Sequence, residues 1–180
     1  DFVNADNSLY DENYNSSERC FDLITQVIGR SGRRDDRGLA VIQTINPFNP
    51  TLEFAANQDY KSFYNNEISL RKAMIYPPYC DIYSASFVGE NENTVALCAK
   101  AFFDILKELN SDNSQKLIVL GPSPAKISKL NNQYRYRLSI KCKNSKKIRK
   151  LFNDILIRLS KIKEYKDVQV SLDLNPYNLN

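Results

Sequence analysis

The stretch QYRYRLSIKC, Gln133 to Cys142, alternates without a break. Tyr134, Tyr136, Leu138, Ile140 and Cys142 fall on one side, and Arg135, Arg137, Ser139 and Lys141 on the other. That period of two belongs to a strand with one apolar and one polar face. The segments around it supply partners and cover. IYSASFV (Ile82 to Val88) and VQVSLDL (Val168 to Leu174) read as strands, and KLIVL reads as a strand ending at Gly121-Pro122. Asn93 to Leu109 puts Val95, Cys98, Phe102, Ile105 and Leu109 along one helical face. Ser145 to Ile162 does the same with Ile148, Phe152, Ile155, Leu159 and Ile162. The order β-α-β-β-α-β predicts a ferredoxin-like domain, a four-stranded antiparallel sheet with two helices on one face.

The first 78 residues read differently. The paired prolines of YPPY (Tyr76 to Tyr79) cannot continue the helical stretch Tyr60 to Met74. The domain boundary is placed there, dividing the chain into residues 1–78 and 79–180. Upstream, Phe21, Ile24, Val27 and Ile28 lie at helical spacing between Asn15 and Gly29, with Gly29 and Gly32 expected to stop the helix. LAVIQTI (Leu39 to Ile45) reads as a strand, and a short helix follows around Leu52 to Ala56. The class is α/β, more closely α+β.

Several chemistries are excluded. The chain has no histidine, which removes Ser-His-Asp and Cys-His catalysis. Its four cysteines (Cys20, Cys80, Cys98 and Cys142) are scattered with no CxxC pair, so buried free thiols are expected rather than zinc ligands or a disulfide framework. No apolar run is long enough to span a bilayer. The chain begins Asp-Phe-Val and its only methionine is Met74, so it reads as a piece of something longer.

Two features point to anions. QVIGRSGRRDDRG, Gln26 to Gly38, carries four arginines (Arg30, Arg33, Arg34 and Arg37) and three glycines. A guanidinium is planar and always charged, and it grips phosphate through two parallel hydrogen bonds. Glycines between the arginines let the backbone turn so that these groups converge. The alternative is a solvated, arginine-rich helix terminus. No G-x-x-x-x-G-K-[ST] loop occurs in the chain, so no phosphate cradle accompanies the arginines. They make chemical sense as groups that reach a γ-phosphate held by another domain.

The motif Gln26-Val27-Ile28-Gly29-Arg30-Ser31-Gly32-Arg33 resembles motif VI of superfamily two helicases. NADNSLYDENYNSSERCFDLITQVIGRSGR, VIQTINP, DYKSFYNNEISLRKAMIYPPY, VLGPSPAKISKLNNQYRYRL and LDLNP narrow it. Together they are similar, nearly end to end, to the C-terminal part of the PriA family, the bacterial primosomal replication-restart helicases. The resemblance implies an ATP-driven 3′-to-5′ DNA helicase that restarts stalled forks and assembles the primosome. Residues 1–78 would then be the remnant of the second, RecA-like helicase lobe, and 79–180 the family's C-terminal domain. Gln26, Gly29, Arg30 and Arg33 would face ATP, with Arg33 as the arginine finger and Arg30 as a second catalytic contact to the γ-phosphate. Arg34 and Arg37 lie outside the motif. The resemblance further implies ATP and Mg2+ in the parent protein, zinc held outside this chain, and no activity or cofactor for the chain alone. The implied partners are branched or single-stranded DNA, the single-strand DNA-binding protein and other primosome proteins, in the bacterial cytoplasm.

The second feature is a block of ten basic residues between Gly121 and Lys150, with no Asp or Glu among them. Arg135, Arg137 and Lys141 share the polar face of one strand, and Lys126 and Lys129 are expected in the loop leading into it. Lys146, Lys147, Arg149 and Lys150 open the following helix, against its dipole. Lys126, Lys129, Arg135, Arg137, Lys141, Lys146 and Arg149 are therefore candidates for contact with DNA or an acidic partner. The rival account is a stand-alone ferredoxin-like module that binds nucleic acid and has no enzymatic role, and on sequence alone both stay open.

Overall fold

The computed structural model describes residues 2–11, 13–31 and 39–177. Backbone contacts divide the chain into two units, Asp1–Met74 and Ile75–Asn180.

In the first unit, β1 (Phe2–Asn4) pairs in parallel with β2 (Val41–Gln43). The helices are α1 (Asp6–Leu9), α2 (Ser16–Ser31), α3 (Pro50–Ala56) and α4 (Tyr60–Met74). Their core is small: Ala5, Cys20, Phe21, Ile24, Leu52, Ala55 and Phe63. The Phe21 and Phe63 rings stack at 4.3 Å and pin α2 to α4. Arg71 completes the join, donating from Nε to Glu67 and from a terminal nitrogen to Glu18, both at 2.8 Å. Asn49 caps α3 by accepting from the Thr51 amide, with Pro50 in the first turn, where its missing amide costs nothing.

Two expectations change here. Gly29 does not stop α2, which continues to Ser31. A mid-helix glycine costs only about 1 kcal/mol, and Val27 and Ile28 pack against the core across that turn. LAVIQTI contributes only Val41–Gln43 as strand, because β1 offers three residues to pair with.

The second unit is the ferredoxin-like domain. Its strands are β3 (Asp81–Gly89), β4 (Ile118–Leu130), β5 (Gln133–Cys142) and β6 (Gln169–Leu174), in the order β4-β5-β3-β6, all antiparallel. Helices α5 (Glu92–Leu109) and α6 (Lys146–Ser160) cover one face. Asn91 and Ser145 cap them, accepting from the amides of Thr94 and Ile148. Phe87, Phe102, Phe152, Leu138, Ile140, Ile148 and Ile155 fill the space between sheet and helices. Each such side chain, fully buried, contributes roughly 1.5–3 kcal/mol. Asp81 fastens the sheet end: its carboxylate accepts from the Asn144 amide and the Asn175 side chain, both at 2.9 Å. No helix among the described residues is long and apolar enough to cross a membrane.

The largest departure from the sequence reading is β4, which runs on past Gly121-Pro122 for eight further residues to Leu130. It does so through two irregularities. Leu120 to Ser123 stand against Ser139 to Arg137, and Pro124 to Lys129 stand against Tyr136 to Tyr134, so extra residues bulge out of the ladder at both places. Gly121 makes the first bulge possible. Its φ is +98°, and a Cβ there would lie 2.8 Å from the Arg137 carbonyl oxygen. Gly121→Ala is therefore expected to destabilise this unit by roughly 1–3 kcal/mol. Denaturant unfolding measures it, and an unchanged midpoint would contradict so close an approach.

Candidate nucleic-acid interface

The strand register decides which cations share a surface. Tyr83, Ala85 and Phe87 of β3 stand opposite Ile140, Leu138 and Tyr136 and face the helices. The alternate residues face the other way: Ser84, Ser86 and Val88 on β3, opposite Ser139, Arg137 and Arg135 on β5. On β4, Ser123 stands opposite Arg137. The face without helices thus has a floor of serines, with two arginines rising from it.

The second bulge of β4 gives this face its relief. It carries Ala125, Lys126 and Ile127 over the sheet, forming a groove of about 420 Å³ with Ser86, Val88, Arg135 and Arg137. None of the lining residues is acidic. The Nε atoms of Arg135 and Arg137 are shielded from solvent, and neither finds an acceptor among the described residues. Burial, and then the neighbouring charge of Arg135, push Arg137 below the usual guanidinium range. Two like charges held close together without a carboxylate favour an anion between them.

The other predicted cations do not all join the groove. Lys129 lies in β4 rather than in a loop, and it stands opposite Tyr134 on the helix-covered side. Its ammonium donates to the Tyr134 hydroxyl at 3.1 Å and sits 4.7 Å from the ring centroid. Lys129 therefore does not join the arginine row, because the hairpin pairs it with a tyrosine of the other face. Lys126 is likewise a strand residue, re-aimed by the bulge. Lys141 keeps the orientation of Arg135 and Arg137 but is buried, with its ammonium 3.6 Å from the Tyr76 ring centroid. Burial lowers its pKa, with Cys80 partly offsetting the effect. Lys146 and Arg149 are exposed on α6, which packs on the opposite side of the sheet, and Arg149 donates to Asn144 at 3.0 Å. One basic block in sequence is thus three surfaces in space.

In the first unit, Gln26, Gly29 and Arg30 recur at three- and four-residue spacing on α2, and all three are exposed. Val27 and Ile28 point to the core instead. A Cβ at Gly29 would meet nothing within 4 Å among the described residues, so none of them requires a glycine there. Arg33, Arg34 and Arg37 lie outside the described residues. Arg30 is the one cation that α2 adds to this exposed face among the described residues. Among the described residues no group of three or more His, Cys, Asp or Glu could hold a metal ion.

The cysteines serve packing. Cys20, Cys98 and Cys142 are buried, and burial raises each thiol to about 11, far from nucleophilic use. Sequence reasoning missed Ser86, Val88 and Ile127 as groove residues. The alternation of IYSASFV does carry a signal for the first two, since it sets Ser84, Ser86 and Val88 on the face away from Phe87.

Comparison with known proteins bears on all of this. Residues 72–177 match the family model described as the primosomal protein N C-terminal domain. A replication restart protein PriA from Bacillus subtilis is 33% identical over 175 residues, 97% of this chain and 21% of the relative. The proteins of the same name from Borreliella burgdorferi and Synechocystis are each 30% identical, over 98% of this chain and 26% and 20% of the relatives. The chain thus spans about a fifth to a quarter of the length of the curated relatives it matches.

Proposed function

We propose, since this chain belongs to the PriA family of replication restart proteins, that it works as the C-terminal part of an ATP-dependent 3′-to-5′ DNA helicase that restarts stalled forks and assembles the primosome. In this role the ferredoxin-like domain contacts DNA through the sheet face that its helices leave open. The observation that carries the reading is the pair of guanidinium groups, Arg135 and Arg137, in a groove without acidic lining. Charge of one sign in a shallow groove binds a phosphate backbone with little sequence preference, releasing counterions as it does so. The site is a contact for branched or single-stranded DNA. Single-strand DNA-binding protein and other primosome proteins are partners of the parent, which works in the bacterial cytoplasm.

The first unit is read as the remnant of the RecA-like second lobe. Gln26, Gly29, Arg30 and Arg33 face ATP that is bound mainly by the rest of the parent, and ATP would supply the free energy of strand separation. Arg30 and Arg33 neutralise charge that develops on the terminal phosphate during hydrolysis. Mg2+ and zinc belong to parts of the parent outside this chain, which alone neither hydrolyses ATP nor holds a metal.

Counterion release gives the direct test. For this chain on single-stranded DNA, log K should fall linearly with log salt, and Arg137→Gln should flatten the slope by roughly 0.7. Equal slopes for the two proteins would remove Arg137 from the interface. The stand-alone module would share this DNA contact but not the nucleotide role of α2, so the two readings part at Arg30.

A further inference from the structure

The groove over β5 has properties that contact with a phosphodiester backbone does not require. Its concavity comes from the second bulge, where five residue steps of β4 stand against two of β5. At about 420 Å³ it suits one terminal nucleotide better than a length of strand crossing a flat sheet. Arg135 and Arg137 are attached two residues apart on one strand, hence about 7 Å from each other. Arg135 is close enough for its charge to be felt at Arg137. Apolar Val88 and Ile127 stand beside these cations.

Charge and acceptor count then discriminate between ligands. A phosphodiester brings one negative charge and two unesterified oxygens. A phosphomonoester brings about 1.5 to 2 charges near neutral pH, and three acceptor oxygens. Two planar forks side by side can use the third oxygen and the second charge, whereas a diester leaves one fork partly unmet. The two shielded Nε donors are the groups such an anion would satisfy.

We propose that the groove seats a phosphorylated end of a nucleic-acid strand, with Arg135 and Arg137 on the terminal phosphomonoester and Val88 and Ile127 against the terminal sugar or base. The inference rests on the reading of this face as a nucleic-acid surface and adds to it a preference for strand ends. Ser86 and Lys126 line the same groove and complete its polar wall.

The test uses the 180-residue chain and three internally labelled single strands of one sequence. They carry a 5′-phosphate, a 3′-phosphate, or hydroxyls at both ends, and binding is followed by fluorescence anisotropy. One phosphorylated strand should bind about tenfold more tightly than the hydroxyl strand, and which one identifies the end. The preference should vanish in the Arg135→Gln/Arg137→Gln variant, with its melting temperature checked against the wild type. It should survive in part in Arg135→Lys/Arg137→Lys, which keeps the charge without the forks. Equal affinity for all three strands overturns the end preference and leaves the nucleic-acid reading standing. No binding to any strand overturns both. A preference that persists in the double glutamine variant puts the phosphate elsewhere and overturns the assignment.

Discussion

Replacing Arg30 by alanine in the full-length parent protein is expected, on the proposed function, to lower DNA-stimulated ATP turnover by about 10³-fold or more. Arg33→Ala should do the same, within the 10³ to 10⁵ range of an arginine finger. The reasoning begins with spacing. Gln26, Gly29 and Arg30 share one exposed face of α2, while Val27 and Ile28 bind that helix to its own core. Arg30 makes no ion pair among the described residues. The proposed function gives it one, the terminal phosphate of a nucleotide, which a guanidinium grips through two parallel hydrogen bonds. The loss should fall mainly on kcat, because the negative charge that Arg30 neutralises grows in the transition state. Arg30→Lys, which keeps the charge but loses the fork, should recover part of the rate. Undiminished turnover in both alanine variants would remove the nucleotide role and favour the stand-alone module.

The second large effect is expected on DNA affinity. Changing both Arg135 and Arg137 to glutamate reverses two charges in a groove that has no carboxylate to offset them. Affinity for single-stranded DNA at moderate salt should fall by about 100-fold, and the salt slope should flatten by roughly 1.4. Lys129→Glu is the informative control, because Lys129 stands with Tyr134 on the helix-covered side. Its reversal should weaken binding much less. Lys146→Glu and Arg149→Glu belong with the control, since α6 packs on that same side. Equal losses from all of these reversals would mean that net charge, and not the open sheet face, holds DNA.

The ferredoxin-like domain is legible in the sequence because its signals are local and agree with one another. The alternation of Gln133–Cys142 assigns every side chain of β5 to a face. The apolar spacings of α5 and α6 then supply the covering layer. The continuation of β4 is not legible, because glycine and proline break a strand wherever only local propensity is weighed. Residues 121–130 join the sheet through pairing with β5, with Gly121 taking a backbone angle that other residues rarely adopt. The same gap hid the groove. A loop reading leaves Lys126 and Lys129 without a face, whereas the hairpin sends one over the serine floor and the other to Tyr134. Gly29 was misjudged for a related reason. A glycine reads as a helix stop, yet packing of Val27 and Ile28 carries α2 through it.

Arginine Nε–H resonances test the account most directly, because they report on the two donors themselves. In a titration of the 15N-labelled chain with a short single-stranded DNA, the Arg135 and Arg137 signals should shift together and saturate with the binding curve. Those of Arg149 and Arg158, on α6, should stay close to their free positions. Movement of the α6 arginines while Arg135 and Arg137 remain unchanged would contradict the assignment of the open sheet face as the DNA surface.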